Sequence, residues 1–202
     1  MPGPRELTLR PEHSGTVPAV TVLAGPTAVG KGTVSQYIRE HYPQVSLSVS
    51  ATTRQPRPGE IDGVHYSFLT HAQFNELIKQ GKMLEWAEVQ GVITYGSRRE
   101  TGEAAIRNGQ HVLLEIDLQG ARQVRQTMPE ATFIFLAPPS WDELVRRLVG
   151  RGTESRQEQQ RRLETARLEL AAEPEFDAVI VNDTVGQASS RLVEVMQLSA
   201  QQ

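Results

Sequence analysis

Nine residues, Gly25-Pro-Thr-Ala-Val-Gly-Lys-Gly-Thr33, carry the most specific chemistry in this chain. Their Gly-x-x-x-x-Gly-Lys frame suits a backbone loop that cradles phosphate. Glycines let successive main-chain N–H groups converge on an anion, and the positive end of a following helix dipole adds to the attraction. The flanks agree with that use. Ala19–Ala24 reads as a buried strand, and the residues from Thr33 to Arg39 read as the opening turns of a helix. Gly25, Pro26, Thr27, Ala28, Val29 and Gly30 would form the cradle together with Gly32 and Thr33. Lys31 would set a compact charge against the β- and γ-phosphates of a nucleoside triphosphate. A plain Gly/Pro turn with a solvated lysine is the alternative, and it leaves the agreement of frame, strand and helix unexplained.

The loop departs from its commonest form at Gly32, which stands where a Ser or Thr hydroxyl usually contacts magnesium. Gly-Lys-Gly-Thr33 resembles the loop of adenylate kinases in this respect. Glycine cannot ligate a metal, so Mg²⁺ entering as the MgATP complex would be held largely by phosphate and water, a mode it tolerates. No direct protein ligand is expected, and Thr33 is only a weak candidate.

Further along, Thr52-Thr-Arg54-Gln-Pro-Arg57-Pro-Gly59 puts two guanidiniums in a proline-stiffened turn. Arginine forks match phosphate oxygens and stay charged at any relevant pH. Arg151, Arg156, Arg161 and Arg162 form a second group, which reads either as the solvated face of a helix offset by Glu154, Glu158 and Glu164 or as a lid closing over transferring phosphates. Glu115 and Asp117 flank Ile116 at the end of a buried strand, where ligands bind in open α/β sheets. They could instead cap nearby loops or pair with Arg122. Glu85, beside Trp86, is either functional or a surface glutamate on a short strand. The histidines share no metal-binding spacing, and His65, His71 and His111 read as surface residues.

These groups need a scaffold. The chain has 202 residues, 38% hydrophobic and 22% charged, which describes one globular domain or one domain with insertions. It can bury roughly 70% of its unfolded surface. It has no cysteine, so disulfides, thiolate catalysis and cysteine-bound zinc are excluded. A net charge of −3 provides no basic field for nucleic acid or membrane. No apolar run approaches a membrane span, and the Pro- and Gly-rich start (residues 1–16) lacks a signal-peptide core and reads as a flexible tail. A cytoplasmic enzyme with no obligate protein partner is expected.

Apolar runs at Ala19–Ala24, Val112–Ile116, Thr132–Leu136 and Ala178–Val181 read as buried parallel strands, with helical patterns between them. That alternation predicts a three-layer α/β core with a parallel sheet, over residues 17–49, 102–149 and 168–202. Val34, Tyr37 and Ile38 take core spacing on the first helix. Capping boxes at Ser140-Trp-Asp-Glu143 and Ser155-Arg-Gln-Glu158 open two more helices, the second with Leu163, Ala166 and Leu170, and a last helix is expected near Ala188–Leu198. Residues 50–101 are more polar and contain short alternating segments and one capped helix from Thr70 with Phe74, Leu77 and Ile78. They read as a small mixed α/β insertion. Residues 150–167 read as the arginine-rich lid.

Taken together, these motifs resemble the guanylate kinases, within the phosphate-loop nucleoside monophosphate kinases. The resemblance runs from about Val20 to Asp183 and rests on the loop, Ser48–Glu60, Asp62–Tyr66, Leu84-Glu-Trp-Ala87, Tyr95-Gly-Ser97, Glu115–Ala121, Ala137–Ser140, Gly150–Glu154 and Val181-Asn-Asp183. It implies a phosphate-loop core, a GMP-binding insertion and a mobile lid, with ATP phosphorylating GMP, and dGMP also, in guanine nucleotide recycling. By resemblance, Ser50, Arg54, Arg57, Tyr66 and Tyr95 hold the GMP phosphate, while Glu85 and Ser97 read the guanine. Asp117 is the acidic residue near guanine and the metal-linked water. Glu115 takes the preceding acidic place, where some members of the family carry Asp. Lys31, Arg54, Arg57, Arg151 and Arg162 surround the transferring phosphoryl group, and Asn182 lies near the ATP adenine.

Two other readings compete. A protein-binding module of the same shape would typically have degraded the loop, whereas Gly25, Gly30 and Lys31 are intact. A kinase for another nucleoside monophosphate would fit the Gly-Lys-Gly-Thr loop, but Glu85 and Ser97 argue against it.

Overall fold

The run Val20–Ala24 (β1) is buried along its whole length, as a strand covered on both faces must be. The computed structural model describes residues 19–89, 92–149 and 156–196. After β1 come Lys31–His41 (α1), Val45–Leu47 (β2), Ser50–Thr52 (β3), Ser67–Phe68 (β4), His71–Lys79 (α2), Met83–Val89 (β5) and Ile93–Arg98 (β6). Arg99–Arg107 (α3), His111–Glu115 (β7), Leu118–Thr127 (α4), Thr132–Ala137 (β8) and Trp141–Val149 (α5) follow. Arg156–Ala171 (α6), Ala178–Val181 (β9) and Val185–Val195 (α7) complete the described elements, with one short 3-10 turn at Glu173–Glu175.

β1 is central in a five-stranded sheet of order β2-β7-β1-β8-β9, and every pairing in it is parallel. Alternation along the strands divides the core into two layers. Val20, Val22, Val112, Leu114, Phe133 and Phe135 pack with Ala105 of α3 and Ala121 and Val124 of α4. Leu23, Leu113, Ile134, Leu136 and Ile180 pack on the opposite side with Val34 and Ile38 of α1 and Leu192 of α7. The expected α/β fold with a parallel sheet is therefore what the chain forms.

A second, four-stranded sheet, β4-β3-β6-β5, is built wholly from residues 50–98. Its β3–β4 pair is parallel, and its β3–β6 and β5–β6 pairs are antiparallel. The Thr70 capping box forms as the sequence indicates, and α2 lays Phe74 against Ala51 and Met83. The outer edge of β5 is closed by α4 of the core. Gln123 accepts from Trp86 N–H at 3.1 Å and donates to Trp86 O at 2.7 Å, and Thr127 donates to Leu84 O at 3.2 Å. Side chains thus supply what a further strand would otherwise provide, and they fix the second sheet to the first.

Several expectations need correction. His111 is not a surface residue: it lies buried in β7, 2.9 Å from Thr21 Oγ1, because that strand begins one residue earlier than its apolar run. Arg122 does not pair with Glu115 or Asp117. Its guanidinium makes two hydrogen bonds to Glu175, 2.7 and 2.6 Å. The last helix starts at Val185, since Thr184 accepts from Gln187 N–H and caps it. Tyr37 is only half-buried and stacks on His41. Ser140 caps α5 by accepting from Glu143 N–H. The box at Ser155 and the tail at 1–16 lie outside the described residues. Leu144 and Leu148 of α5 meet Ala166 of α6, joining the two arginine-bearing helices by a small core of their own.

β5 and β6 approach so closely that a Cβ at Gly96 would stand 2.5 Å from Glu85 O and 2.9 Å from Trp86 Cβ. Gly96→Ala should therefore push β5 away from β6, at a cost of about 2 kcal/mol. Urea denaturation of the variant against wild type checks this, with the loss expected in the midpoint.

Candidate active site

The phosphate loop leaves the carboxyl edge of the central sheet between β1 and α1. Gly25 opens it at φ 151°, lying so tightly on β8 that a Cβ there would collide with the Leu136 carbonyl oxygen. Ala28 adopts a left-handed φ of 65°, a conformation rare outside glycine that marks a backbone shaped for a purpose. Lys31, at the start of α1, folds back over the loop and donates to Gly25 O at 2.7 Å and Pro26 O at 3.2 Å. Burial pulls its pKa below the ordinary lysine value, while the charges of Glu115, Glu169 and Asp117 oppose the shift. A partly dehydrated ammonium on such a loop suits an incoming polyphosphate.

Two cavities flank the loop. The first, about 640 Å³, brings Gly32, Ser50, Tyr66 and Glu115 together with Glu60 and Arg39. The second, about 480 Å³, gathers Ala28, Gly30, Thr33, Arg147, Asn182 and Asp183. Asn182 is buried at the end of β9 and donates to Val29 O at 2.8 Å. Thr33 therefore faces the Asn182 side, away from Glu115. Among the described residues no cluster of three or more acidic, His or Cys side chains could hold a metal on its own. The oxygens at hand for a phosphate-bound cation are Thr33 on one side and Glu115 and Asp117 on the other.

Glu85 sits on β5, directly opposite Ser97 of β6. It is 6% exposed, which removes the surface reading. Its carboxylate packs on the first turn of α4, where a Cβ at Gly120 would meet Glu85 Oε2 at 2.9 Å. Burial pushes its pKa up to about 7, the Asp117 charge adds to the shift, and Ser97 opposes it. The Ser97 hydroxyl is near enough to influence the carboxylate but makes no hydrogen bond of proper geometry. Together with Ser35 and Ser48, which line the first cavity, it is a buried hydroxyl without a partner. Such groups are costly unless a ligand satisfies them.

Asp117 does cap: its Oδ1 accepts from Gly120 N–H at 2.7 Å, fixing the start of α4. Tyr66 and Tyr95 meet edge-on, with ring centroids 6.0 Å apart, and the Arg54 guanidinium lies over Tyr66 at 5.3 Å. Arg57 is exposed on the same turn. Arg162, on α6, reaches Leu148 O at 3.5 Å and lines neither cavity. Arg151 lies outside the described residues.

A family model described as guanylate kinase matches residues 18–199. The chain belongs to the guanylate kinase family. It is 63% identical over 177 residues to a guanylate kinase of Leifsonia xyli subsp. xyli, covering 88% of this chain and 70% of that one. Identity to a guanylate kinase of Cutibacterium acnes is 55% over 186 residues, covering 92% and 93%. The crystal structure of guanylate kinase from Anaplasma phagocytophilum matches with a TM-score of 0.70 at 31% identity, over 97% of this chain and 89% of that one.

Three residues at this family site carry no role in the sequence reading. Arg147 donates to Val29 O at 3.1 Å and lines the second cavity. Its i,i+4 pairing with Glu143 gives it the look of an ordinary solvated helix face. Glu169, at the far end of α6, accepts from Thr27 N–H at 2.8 Å, a contact across 142 residues that no local pattern encodes. Glu60 closes the arginine turn, and its spacing of three from Arg57 is the only signal it gives.

Because the folded carboxyl of Glu85 holds its proton up to about 7 rather than 4.5, the native state binds that proton more tightly than the unfolded chain. The stability this contributes is full below pH 4.5 and lost as pH rises through 7, about 3 kcal/mol in all. Glu85→Gln should therefore make the ligand-free protein more stable than wild type at about pH 8, and no more stable at about pH 4.5. Thermal melts at the two pH values, without nucleotide, measure the difference.

Proposed function

We propose that the two cavities hold the two substrates of one phosphoryl transfer, MgATP along the loop toward Asn182 and GMP between the second sheet and the core. Guanylate kinases carry out ATP-dependent phosphorylation of GMP to GDP, and this chain is such an enzyme. In our reading the core is 17–49, 102–149 and 168–202, the GMP-binding insertion 50–101 and the lid 150–167. dGMP, differing only at the 2′ position, is taken as a second acceptor.

The observation that carries the reading is the buried Glu85 with the unpartnered Ser97 hydroxyl beside it. Guanine presents N1–H and N2–H₂ side by side, a donor pair that one carboxylate can accept. Adenine has no such pair on that edge, so it would leave Glu85 dehydrated and unsatisfied. Ser50, Arg54, Arg57, Tyr66 and Tyr95 take the GMP phosphate. Gly25, Pro26, Thr27, Ala28, Val29, Gly30, Gly32 and Thr33 supply the loop for the ATP phosphates, and Asn182 stands by the adenine.

Phosphoryl transfer asks mainly for alignment and charge neutralisation. Lys31 leaves the loop carbonyls for the β- and γ-phosphate oxygens, exchanging neutral acceptors for charged ones. Arg54 and Arg57 draw the acceptor oxygen into line, and Arg147, Arg151 and Arg162 bring positive charge to the donor side. Glu115 and Asp117 stand where they could hold the water shell of a phosphate-bound Mg²⁺, which would supply neutralising charge to the triphosphate. No covalent enzyme intermediate is formed. Among the described residues no helix is long and apolar enough to cross a membrane. Composition supports a cytoplasmic enzyme acting on small molecules without nucleic acid, membrane or obligate partner.

An acceptor panel tests this directly. With ATP and magnesium, GMP should support ADP release with a kcat/KM at least about a hundredfold above AMP or UMP. Equal rates with AMP would overturn the guanine reading. Arg54→Ala should lower GMP kinase turnover by about a hundredfold or more while the circular dichroism spectrum persists.

A further inference from the structure

If Arg54 and Arg57 grip the GMP phosphate, something must hold them ready while the site is empty. Glu60 makes every contact suited to that task. Its Oε2 and Oε1 accept from Arg54 Nη1 and Nη2, each at 2.9 Å, and Oε2 also accepts from the Arg57 main-chain N–H at 2.7 Å. Its own N–H donates to Arg57 O at 3.0 Å and closes the turn. The Arg54 and Glu60 side chains are only 11% and 18% exposed, although the turn around them is open. Tyr66 and Phe68 lie 5.3 and 5.7 Å from the guanidinium and restrict it further.

The donor count is informative. A guanidinium has five N–H groups. Glu60 takes one from each end nitrogen, and Gln55 O takes the second of Nη1 at 2.7 Å. The N–H groups not engaged by Glu60 or Gln55 are that on Nε and the outer one on Nη2. They form the side fork of arginine, a parallel pair that matches two phosphate oxygens. The pairing also keeps the Glu60 carboxyl ionised far into acid, down to about 2.

We propose that Glu60 is the positioning residue of the acceptor-phosphate site, clamping the end of the Arg54 guanidinium and the Arg57 backbone so that the side fork of Arg54 faces the GMP phosphate before it arrives. The proposal rests on the reading of Arg54 and Arg57 as phosphate ligands. The same contacts admit a second role, since a bidentate guanidinium and a main-chain N–H are also what a phosphate would choose. Glu60 would then be an internal anion that GMP has to displace. Among the described residues no carboxylate or carbonyl holds the remaining N–H groups, and the further polar neighbour of the guanidinium is the Tyr95 hydroxyl, itself read as a phosphate ligand, which favours positioning.

Dissociation constants for GMP and for guanosine, measured by NMR titration of full-length wild type, Glu60→Gln and Arg54→Ala, decide the matter. Glu60→Gln should weaken GMP about tenfold or more, leave guanosine within about twofold and leave KM for ATP unchanged. Glu60→Asp, which keeps the charge but is too short to span both contacts, should recover only part of the loss. GMP binding as tight as wild type or tighter in Glu60→Gln overturns positioning, and so does an equal loss for GMP and guanosine, which would mark a role in the fold alone. Arg54→Ala separates this from the reading beneath it. GMP binding lost there but intact in Glu60→Gln overturns only the role of Glu60. Binding intact in both variants overturns the arginine assignment itself.

Discussion

Keeping Lys31 charged while most of it is out of water is the constraint on which the rest of the structure depends. The cation lies at the N-terminal end of α1, where the helix dipole is itself positive. Among the described residues its local hydrogen-bond partners are the carbonyls of Gly25 and Pro26. The compensating charges come from three separate elements: Glu115 at the end of β7, Asp117 at the cap of α4 and Glu169 on α6. Parallel pairing of β1 with β7 brings Glu115 beside the loop, because the carboxyl ends of both strands then finish on the same edge. An antiparallel arrangement would have sent that end to the opposite side. The topology is thus what makes a dehydrated lysine tolerable here.

Glu85 mirrors this with opposite sign. It is buried on the second sheet, and among the described residues the charge that acts on it, Asp117, is of its own sign. Lys31 is supported by carboxylates in the absence of substrate, whereas Glu85 is left in want of donors. That difference matches the two tasks the proposed function gives them. A polyphosphate brings several charges and can displace weak partners. A guanine base brings only neutral N–H groups, so the acceptor must be unsatisfied beforehand for those groups to matter. Gln123 and Thr127 hold β5 on α4 and so keep Glu85 in that position.

How much of this could be read from the residues alone follows from the range of each interaction. The loop, the strands and the Thr70 box depend on neighbours within a few positions, and they are legible in the pattern. Glu85 is legible only as a choice between surface and site, and its burial removes the surface reading. His111 was misread because a polar residue at the start of a strand looks exposed until its partner, Thr21 on the adjacent strand, is known. Arg122 finds Glu175, 53 residues away, in preference to the nearer carboxylates. Arg147 hides behind an ordinary helical ion pair with Glu143, and Glu169 behind a sequence distance of 142 residues. Asp117 is a cap as well as a candidate ligand, so two readings set apart in the sequence describe one side chain.

These contrasts bear on where selectivity resides. The arginine turn is electrostatically quiet: Arg54 is engaged at one end by a carboxylate that stays ionised far into acid. A phosphate arriving there meets a rigid fork whose charge is already half-balanced, so it gains geometry more than raw attraction. Any nucleoside monophosphate offers that phosphate. The proposed base pocket is the reverse, a dehydrated acceptor beside a buried hydroxyl that lacks a well-formed hydrogen bond, whose cost suitable donors would relieve. Under the proposed function, binding energy shared by all acceptors would come from the arginine turn, and discrimination among them from Glu85 and Ser97. Ser50 of β3 faces Ser97 of β6 and Ser97 faces Glu85 of β5, so the proposed phosphate and base contacts share one small sheet and with it a single frame.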